Sequence, residues 1–350
     1  MRSGKRKGRR FFQLTSDTVP VVTVVIPNYN CGRFIRETLE SISNTHGISL
    51  EVIIVDDAST DNSREMLTRI LPTMHYPCRT IFLERNHGGP SRPRNIGFES
   101  ARGRYLCFVD ADDILLPGTI SEAVAFYELH PDLGFIFFDA LKFDEAHGDY
   151  PKTFLAGYRY FRGIGKESAG ANRFLIRREQ AYGALIEENY VQTTGVVTIR
   201  SDVFRHVGSF DESLTSAEDK DMWLRITNRY DIGFIDRIGL RYRVRRGSIE
   251  SRGADKLAPN RIRVLKKQLE VADLSAGVRD RVIQLIAENL YSSGYHYQSS
   301  GNMTEARKQY RESLRESPSW PATKGLLLTL LGRNLYAKLK KISGGQLEHP

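Results

Sequence analysis

No apolar run in the 350-residue chain approaches the ~18 residues needed to cross a bilayer. The longest candidates, residues 21–26, 134–138 and 326–331, have the length of a strand or of one helix face. No secretory leader is expected, because Arg2 to Arg10 runs into FFQLTSDT and not into an apolar core. Cysteine is scarce. Cys31, Cys78 and Cys107 are odd in number and lack Cys-x-x-Cys spacing, which excludes both a disulfide framework and a cysteine-rich zinc module. The first strand-like run ends in IPNYNCG, which is neither the GxGxxG turn of a dinucleotide enzyme nor a glycine-rich phosphate loop. These absences leave a chain expected in the cytoplasm.

What is present is ordinary in bulk: 40% hydrophobic and 27% charged residues, enough for two or three domains with proper cores. The charge is unevenly placed. Arg2, Lys5, Arg6, Lys7, Arg9 and Arg10 supply two thirds of the formal net charge of +9, with no acid among residues 1–10. Residues 1–20 therefore read as a flexible basic arm, either simply solvated or drawn to anionic lipid. Phe11 and Phe12, and residues 326–331 before Arg333, Lys338, Lys340 and Lys341, either pack on the body or add peripheral membrane contact. No nucleic-acid recognition module accompanies the arm, so no nucleic-acid partner is expected.

Strand-like and helix-like patterns alternate through the first half. Residues 21–27 (VVTVVIP), 51–55 (EVIIV), 80–83, 105–109 (YLCFV) and 134–138 read as strands, and 196–200 resumes the series. Phe34, Ile35, Leu39 and Ile42 repeat at helical spacing, as do Met66, Leu67, Ile70 and Leu71 behind a capping Asp61. Further helices are predicted over 91–101, 120–129 and 218–230. Near-continuously apolar strands between helices predict an α/β fold with a mostly parallel sheet covered on both faces. Ligands of such sheets bind beyond the carboxyl ends of the strands. Residues 139–190, rich in Tyr, Phe, Arg and Gly, resist assignment. From about Ala258 the pattern is helical, and residues 287–318 resemble one tetratricopeptide unit. The expected organisation is a tail (1–20), an α/β body (21–255) and an all-α appendage (256–350).

Acids and amides cluster where the sheet would present them. Pro27-Asn28-Tyr29-Asn30 follows the first strand, and Asp56-Asp57-Ala58-Ser59-Thr60-Asp61 the second. Asn86 to Gly97 precedes the fourth strand, which ends in Asp110-Ala111-Asp112-Asp113. Any one of these is an ordinary Asx turn or helix cap. All four in this order point to a nucleoside diphosphate. Asp56 is placed to accept from a uracil N–H or from ribose hydroxyls. In extended backbone Asp110 and Asp112 share a face, and two carboxylates with phosphate oxygens are a usual shell for Mn2+ or Mg2+. Asp113 caps the following helix or adds to an acidic crowd that needs a cation nearby.

VVTVVIPNYN, IIVDDASTDNS, NHGGPSRPRNIG and YLCFVDADD resemble the four sequential signatures of family 2 glycosyltransferases with the GT-A fold. The likeness continues through Val207-Gly208-Ser209-Phe210-Asp211-Glu212 and Ala217-Glu218-Asp219-Lys220-Asp221-Met222-Trp223-Leu224-Arg225, and covers about residues 21–248. It implies an inverting transferase that uses a nucleotide-sugar donor. Pro27, Tyr29, Asp56, Arg94 and Asp110 would then line the nucleotide site, Asp110 and Asp112 would form the metal-binding DxD, and Asp219 would be the general base. Direct displacement needs one such base and no carboxylate pair at the anomeric carbon. Glu218 and Trp223 are expected on the acceptor side, Trp223 as an apolar wall that raises the pKa of the base. One departure stands out: many relatives have Tyr-Arg-x-His-x-x-Ser where this chain has Tyr242-Arg243-Val244-Arg245-Arg246-Gly247-Ser248. Arginine cannot ligate a cation but grips phosphate oxygens, so Arg245 and Arg246 are expected at the diphosphate.

The expected function is transfer from a UDP-sugar to a saccharide or lipid-linked saccharide acceptor, in cell-surface polysaccharide or glycoconjugate synthesis at the inner face of the plasma membrane. The Tyr/Arg-rich residues 150–190 are the candidate acceptor surface. Without membrane spans or a QxxRW element, processive polymerisation is not expected. A catalytically inactive GT-A body serving as a scaffold is the alternative, against which Asp110, Asp112 and Asp219 argue. His87 and His206 are expected to make only local hydrogen bonds.

Overall fold

The computed structural model of the chain describes residues 19–245, 254–272 and 274–330. The basic tail, Arg246 to Ser248 and the basic stretch after residue 330 lie outside the described residues. Strands β1 (Val22–Asn28), β2 (Leu50–Asp56), β3 (Cys78–Phe82) and β4 (Tyr105–Phe108) alternate with helices α1 (Ile35–Ile42), α2 (Ser63–Ile70) and α3 (Ser91–Glu99). β1 pairs in parallel with both β2 and β4. Every residue of β2 and β4 is buried, as strands covered on both faces must be. The spatial order is β3-β2-β1-β4, so the chain changes its direction of travel across the sheet between β1 and β4. The crevice beyond that point is where an open α/β sheet receives ligands. Gly97 brings α3 close to the floor of this crevice, since a Cβ there would lie 2.2 Å from Val25 Cγ1.

The rest of the sheet is mixed. After β5 (Ile114–Leu115) and α4 (Thr119–Leu129) come β6 (Phe135–Asp144), β7 (Gly148–Thr153), α5 (Arg159–Gly163), β8 (Glu167–Ser168), β9 (Arg173–Ile176) and α6 (Arg178–Glu187). Then follow β10 (Val197–Arg200), α7 (Ser201–Val207), α8 (Glu218–Thr227) and β11 (Ile232–Arg243). β10 is antiparallel between β4 and β6, and β11 runs parallel to β6. The segment that periodicity left unassigned consists of short pieces: β7 folds back on β6, β8 pairs with β9, and β9 joins the sheet through the distant β11. Its aromatics are largely core. Phe161 packs on Tyr190 at 4.9 Å and on Phe234 at 5.2 Å, and all three are buried.

After β11 the described chain is helical, with α9 (Ala254–Gln268), α10 (Ala276–Ser299), α11 (Met303–Glu316) and α12 (Trp320–Leu330). These helices do not behave as one appendage. Val264 and Leu265 of α9, with Val282, Leu285, Ile286 and Leu290 of α10, belong to the same hydrophobic core as the sheet. Only α11 and α12 close on a separate small cluster of Ala306, Tyr310 and Ala322. No helix among the described residues is long and apolar enough to cross a membrane.

Candidate active site

A cavity of about 1030 Å³ opens beyond the carboxyl ends of β1 and β4, at the upper end of the range usual for small-molecule sites. Pro27, Tyr29, Arg94, Asp110 and Asp112 stand on one wall, and Glu218, Asp219 and Arg245 also line it. Asp56 and Trp223 do not, and Arg246 lies outside the described residues. Four of the buried side-chain atoms that lack a hydrogen-bond partner belong to lining residues: Asn28 Oδ1, Arg94 Nε, Asn189 Oδ1 and Thr194 Oγ1. Unpartnered polar atoms are costly in a dry interior, so this wall suits a polar ligand.

The amide-rich loops divide their labour. Asp56 is occupied within the protein: its Oδ2 accepts from Asn28 Nδ2 at 2.6 Å and Ser59 Oγ at 2.7 Å, and its Oδ1 from Ser59 N at 3.0 Å. Asn30 Oδ1 accepts from Thr60 N at 2.8 Å, and Asp61 accepts from Gly32 N and Ser63 N. These bonds lace the loops after β1 and β2 together, the ordinary Asx role. Asp57, not Asp56, reaches the cavity, and it is braced by His87, whose N–H and Nδ1 lie 2.8 and 2.6 Å from its oxygens. The local role expected of His87 is what it performs, and His206 likewise contacts Tyr230 Oη at 2.6 Å.

Asp110 and Asp112 share the cavity for a reason other than strand alternation. β4 ends at Phe108, and Asp113 N donates to Asp110 O at 3.1 Å, so the motif is a turn. The turn sends Asp113 inward. Its Oδ1 accepts from Arg243 N on β11 at 3.0 Å, and it does not cap α4, whose N-cap is Gly118. Burial, then repulsion from Asp112 and Asp110, raises the Asp113 carboxyl well above the usual range. Arg94 is a buried strut: Nη2 reaches Asp110 Oδ1 and Nη1 reaches Glu218 Oε1, both at 2.7 Å. Arg245 Nε bonds Asp112 Oδ2. Burial raises the Asp112 carboxyl while Arg245 opposes the shift. Burial and the charge of Asp112 push the neighbouring Cys31 thiol up to about 12, leaving it protonated and a poor metal ligand. Among the described residues no group of three or more His, Cys, Asp or Glu forms a metal site. Two hard carboxylate oxygens on one wall fit Mg2+ or Mn2+ only with phosphate oxygens completing the shell.

Asp219 sits in the first turn of α8, entered through Ala217 at φ +60°. Left-handed backbone at a non-glycine residue is held only where the surroundings enforce it. Here the Asn260 side-chain amide on α9 lies 3.0 Å from the hydroxyl oxygens of both Thr215 and Ser216. Burial, then the charge of Glu218, raises the Asp219 carboxyl to about 7. Asn189 Nδ2 donates to its Oδ2 at 3.0 Å. Trp223 faces the core, with Nε1 donating to Val191 O at 2.9 Å and the ring on Phe135. It is not the apolar wall expected of it: one turn along the same helix face from Asp219, it is buried beyond the cavity lining, in the core against Phe135.

Sequence reasoning named Asn189 only as part of residues 150–190 and missed Thr194, Lys220 and, above all, Leu257 and Arg261 of α9, which line the same cavity. The only local signal was the adjacency of Lys220 to Asp219. Nothing in the periodicity of α9 reports which sheet end it covers.

The topology and the position of the crevice are those of the GT-A fold. Staphylococcus aureus TarS 1–349 in complex with UDP-GlcNAc matches over 93% of this chain and 89% of that one, with a TM-score of 0.60 and 21% identity. The mannosyltransferase PcManGT from Pyrobaculum calidifontis, in complex with GDP-Man and Mn2+, matches over 94% and 85%, with a TM-score of 0.54 and 16% identity. In sequence, residues 23–184 match the model of Glycosyl transferase family 2. Uncharacterized protein MT1568 of Mycobacterium tuberculosis is 28% identical over 62% of this chain and 65% of its own length. The poly(ribitol-phosphate) beta-N-acetylglucosaminyltransferase TarS of S. aureus is 34% identical over 31% of this chain, and the match spans 19% of TarS. The chain thus spans under two thirds of each of these curated relatives. Over residues 23–184, a little under half of its length, the chain is similar to glycosyl transferase family 2.

Proposed function

We propose that the chain transfers a sugar from a nucleoside diphosphate donor to a saccharide or lipid-linked saccharide acceptor, with inversion at the anomeric carbon. The observation that carries this reading is that Asp219, raised to about 7, shares one cavity with Asp110 and Asp112. A base with a pKa near the working pH combines availability with proton affinity. Asp219 takes the proton of the acceptor hydroxyl, whose oxygen bonds the anomeric carbon opposite the diphosphate. The bond from that carbon to the diphosphate oxygen breaks, and its electron pair leaves with the diphosphate. Asp110 and Asp112 would hold Mg2+ or Mn2+, and such an ion would supply neutralising charge for the leaving group. Tyr29, 44% exposed on the cavity wall, offers a ring face to the nucleobase, while Arg245 supplies positive charge near the phosphates. Asp56 is bonded by Asn28 and Ser59 and Asp57 by His87, but Asp57 alone of the two lines the cavity, so it is the carboxylate that meets the nucleoside.

The donor is taken as a UDP-sugar, a choice supported by the TarS complex with UDP-GlcNAc. Thermal shift with UDP-, GDP- and TDP-sugars, with and without Mn2+, tests it, because a bound donor raises apparent stability by mass action. A UDP-sugar is expected to give the largest Mn2+-dependent shift and to release UDP slowly. Silence across all three classes would favour an inactive scaffold instead.

A further inference from the structure

Each carboxylate on the cavity wall is already held by a hydrogen-bond partner, Asp219 by Asn189 Nδ2 and Lys220 N. Asp57 is braced by His87, Asp110 and Glu218 share Arg94, and Asp112 is bonded by Arg245. Glu187 is held by Arg281 at 2.8 Å, and Glu188 accepts from Phe161 N at 2.9 Å. Two cations remain. Lys220 on α8 and Arg261 on α9 both line the cavity, and among the described residues neither forms an ion pair with a carboxylate. The Lys220 ammonium is held by one backbone carbonyl, Ile186 O, at 3.0 Å. Burial, then repulsion from Arg261, lowers it to about 8 against the opposing charges of Asp219, Glu187 and Glu188. The repulsion between these like charges outweighs each of those carboxylates taken singly, and a ligand anion between them would relieve it. Nearby on the same wall, Thr194 Oγ1 and Asn189 Oδ1 are buried without partners.

We propose that the Asp219 side of the cavity is a subsite for an anionic acceptor, a saccharide or polyol chain bearing phosphodiester or carboxylate groups, with Lys220 and Arg261 reading its charge. The proposal rests on the glycosyl-transfer reading. Arg261 is exposed at the rim and Lys220 is enclosed beside the base, so together they place one anionic unit while the neighbouring hydroxyl meets Asp219. Thr194 and Asn189 supply polar contacts for the remaining hydroxyls.

The test is calorimetric titration of the UDP- and Mn2+-loaded protein with three oligomers of equal length: a glycerol-phosphate chain, a uronic-acid-containing saccharide and a neutral saccharide. At least one anionic oligomer is expected to bind about tenfold or more tightly than the neutral one, with the difference shrinking as salt is raised. Whichever oligomer binds tighter identifies phosphate or carboxylate as the source of charge. Arg261→Gln, at an exposed position, should remove about tenfold from that affinity and leave the neutral oligomer and UDP unchanged. Lys220→Met should act in the same direction. Equal or tighter binding of the neutral oligomer, or an unchanged anionic affinity in Arg261→Gln, overturns the proposal while UDP binding stands. Failure of UDP itself to bind overturns the glycosyl-transfer reading beneath it.

Discussion

Asp219 is the residue on which chemistry and stability pull in opposite directions. Its carboxyl, raised to about 7, must lose a proton before it can accept one. Turnover at limiting substrate should therefore rise with pH through about 7, and a pH–rate profile checks it. Asp219→Asn should lower kcat roughly 100- to 10,000-fold with UDP affinity unchanged. Linkage gives a second readout. A carboxyl whose folded pKa lies above its unfolded value stabilises the fold below the unfolded pKa, and that contribution is lost as pH rises through the folded value. The window here runs from the ordinary 3.8 to about 7. The Tm advantage of Asp219→Asn over the native protein should thus be larger at pH 8 than at pH 5, by differential scanning calorimetry. An advantage independent of pH would mean that Asp219 ionises normally. Arg94 contributes to the same balance, because it holds Glu218 in place beside the base.

At the level of elements, the start of α8 is the strained part of the site. Ala217 at φ +60° and Ala58 at φ +58° occupy the region that favours glycine. Each costs about 1–2 kcal/mol of left-handed strain, offset on replacement by roughly 0.5–1 kcal/mol of extra unfolded-chain entropy. Ala217→Gly and Ala58→Gly should each raise Tm by about 1–2 °C. They should differ in rate. Ala217 adjoins Glu218 and Asp219, so its replacement frees the helix start and lowers kcat, whereas Ala58→Gly leaves kcat unchanged. Equal kcat in both variants would show that the left-handed turn does not aim the base. The turn Asp110 to Asp113 is a second such device, with two carboxylates delivered outward and one inward to β11.

Over the whole molecule, the helices after β11 split by role. α9 is tied to the start of α8 through Asn260, and to the body behind the site through Lys267, whose Nζ lies 2.6 Å from Asp211 and 2.8 Å from the buried Asp221. Gln268 on α9 accepts from Tyr182 Oη at 3.0 Å, and Arg281 on α10 holds Glu187. No described residue of α11 or α12 lines the cavity. A chain ended before Ala254 should therefore be insoluble or fail to bind UDP. One ended after Ser300 should remain folded and bind UDP with Kd within about threefold of the full chain, although its Tm falls. Circular dichroism melts and UDP titration of the two truncations separate these outcomes; loss of UDP binding in the longer one would place α11 and α12 in the site.

By itself the sequence determined β1, β2 and β4, because runs such as VVTVVIP and EVIIV are too short for helices and too apolar for an exposed strand. It also determined which loops carry acids and amides, since their order along the chain is the order of the strands. Tertiary structure alone decided which way those side chains point. Asp56 and Asp57 are neighbours, yet one is bonded inside the protein and the other lines the cavity. Trp223 and Asp219 lie one turn apart on the same face of α8, and only the packing of that helix against β6 buries the first in the core while the second lines the cavity. The assembly of residues 139–190 and the closure of the cavity by α9 rest on contacts between residues far apart in the chain, and no local pattern encodes them.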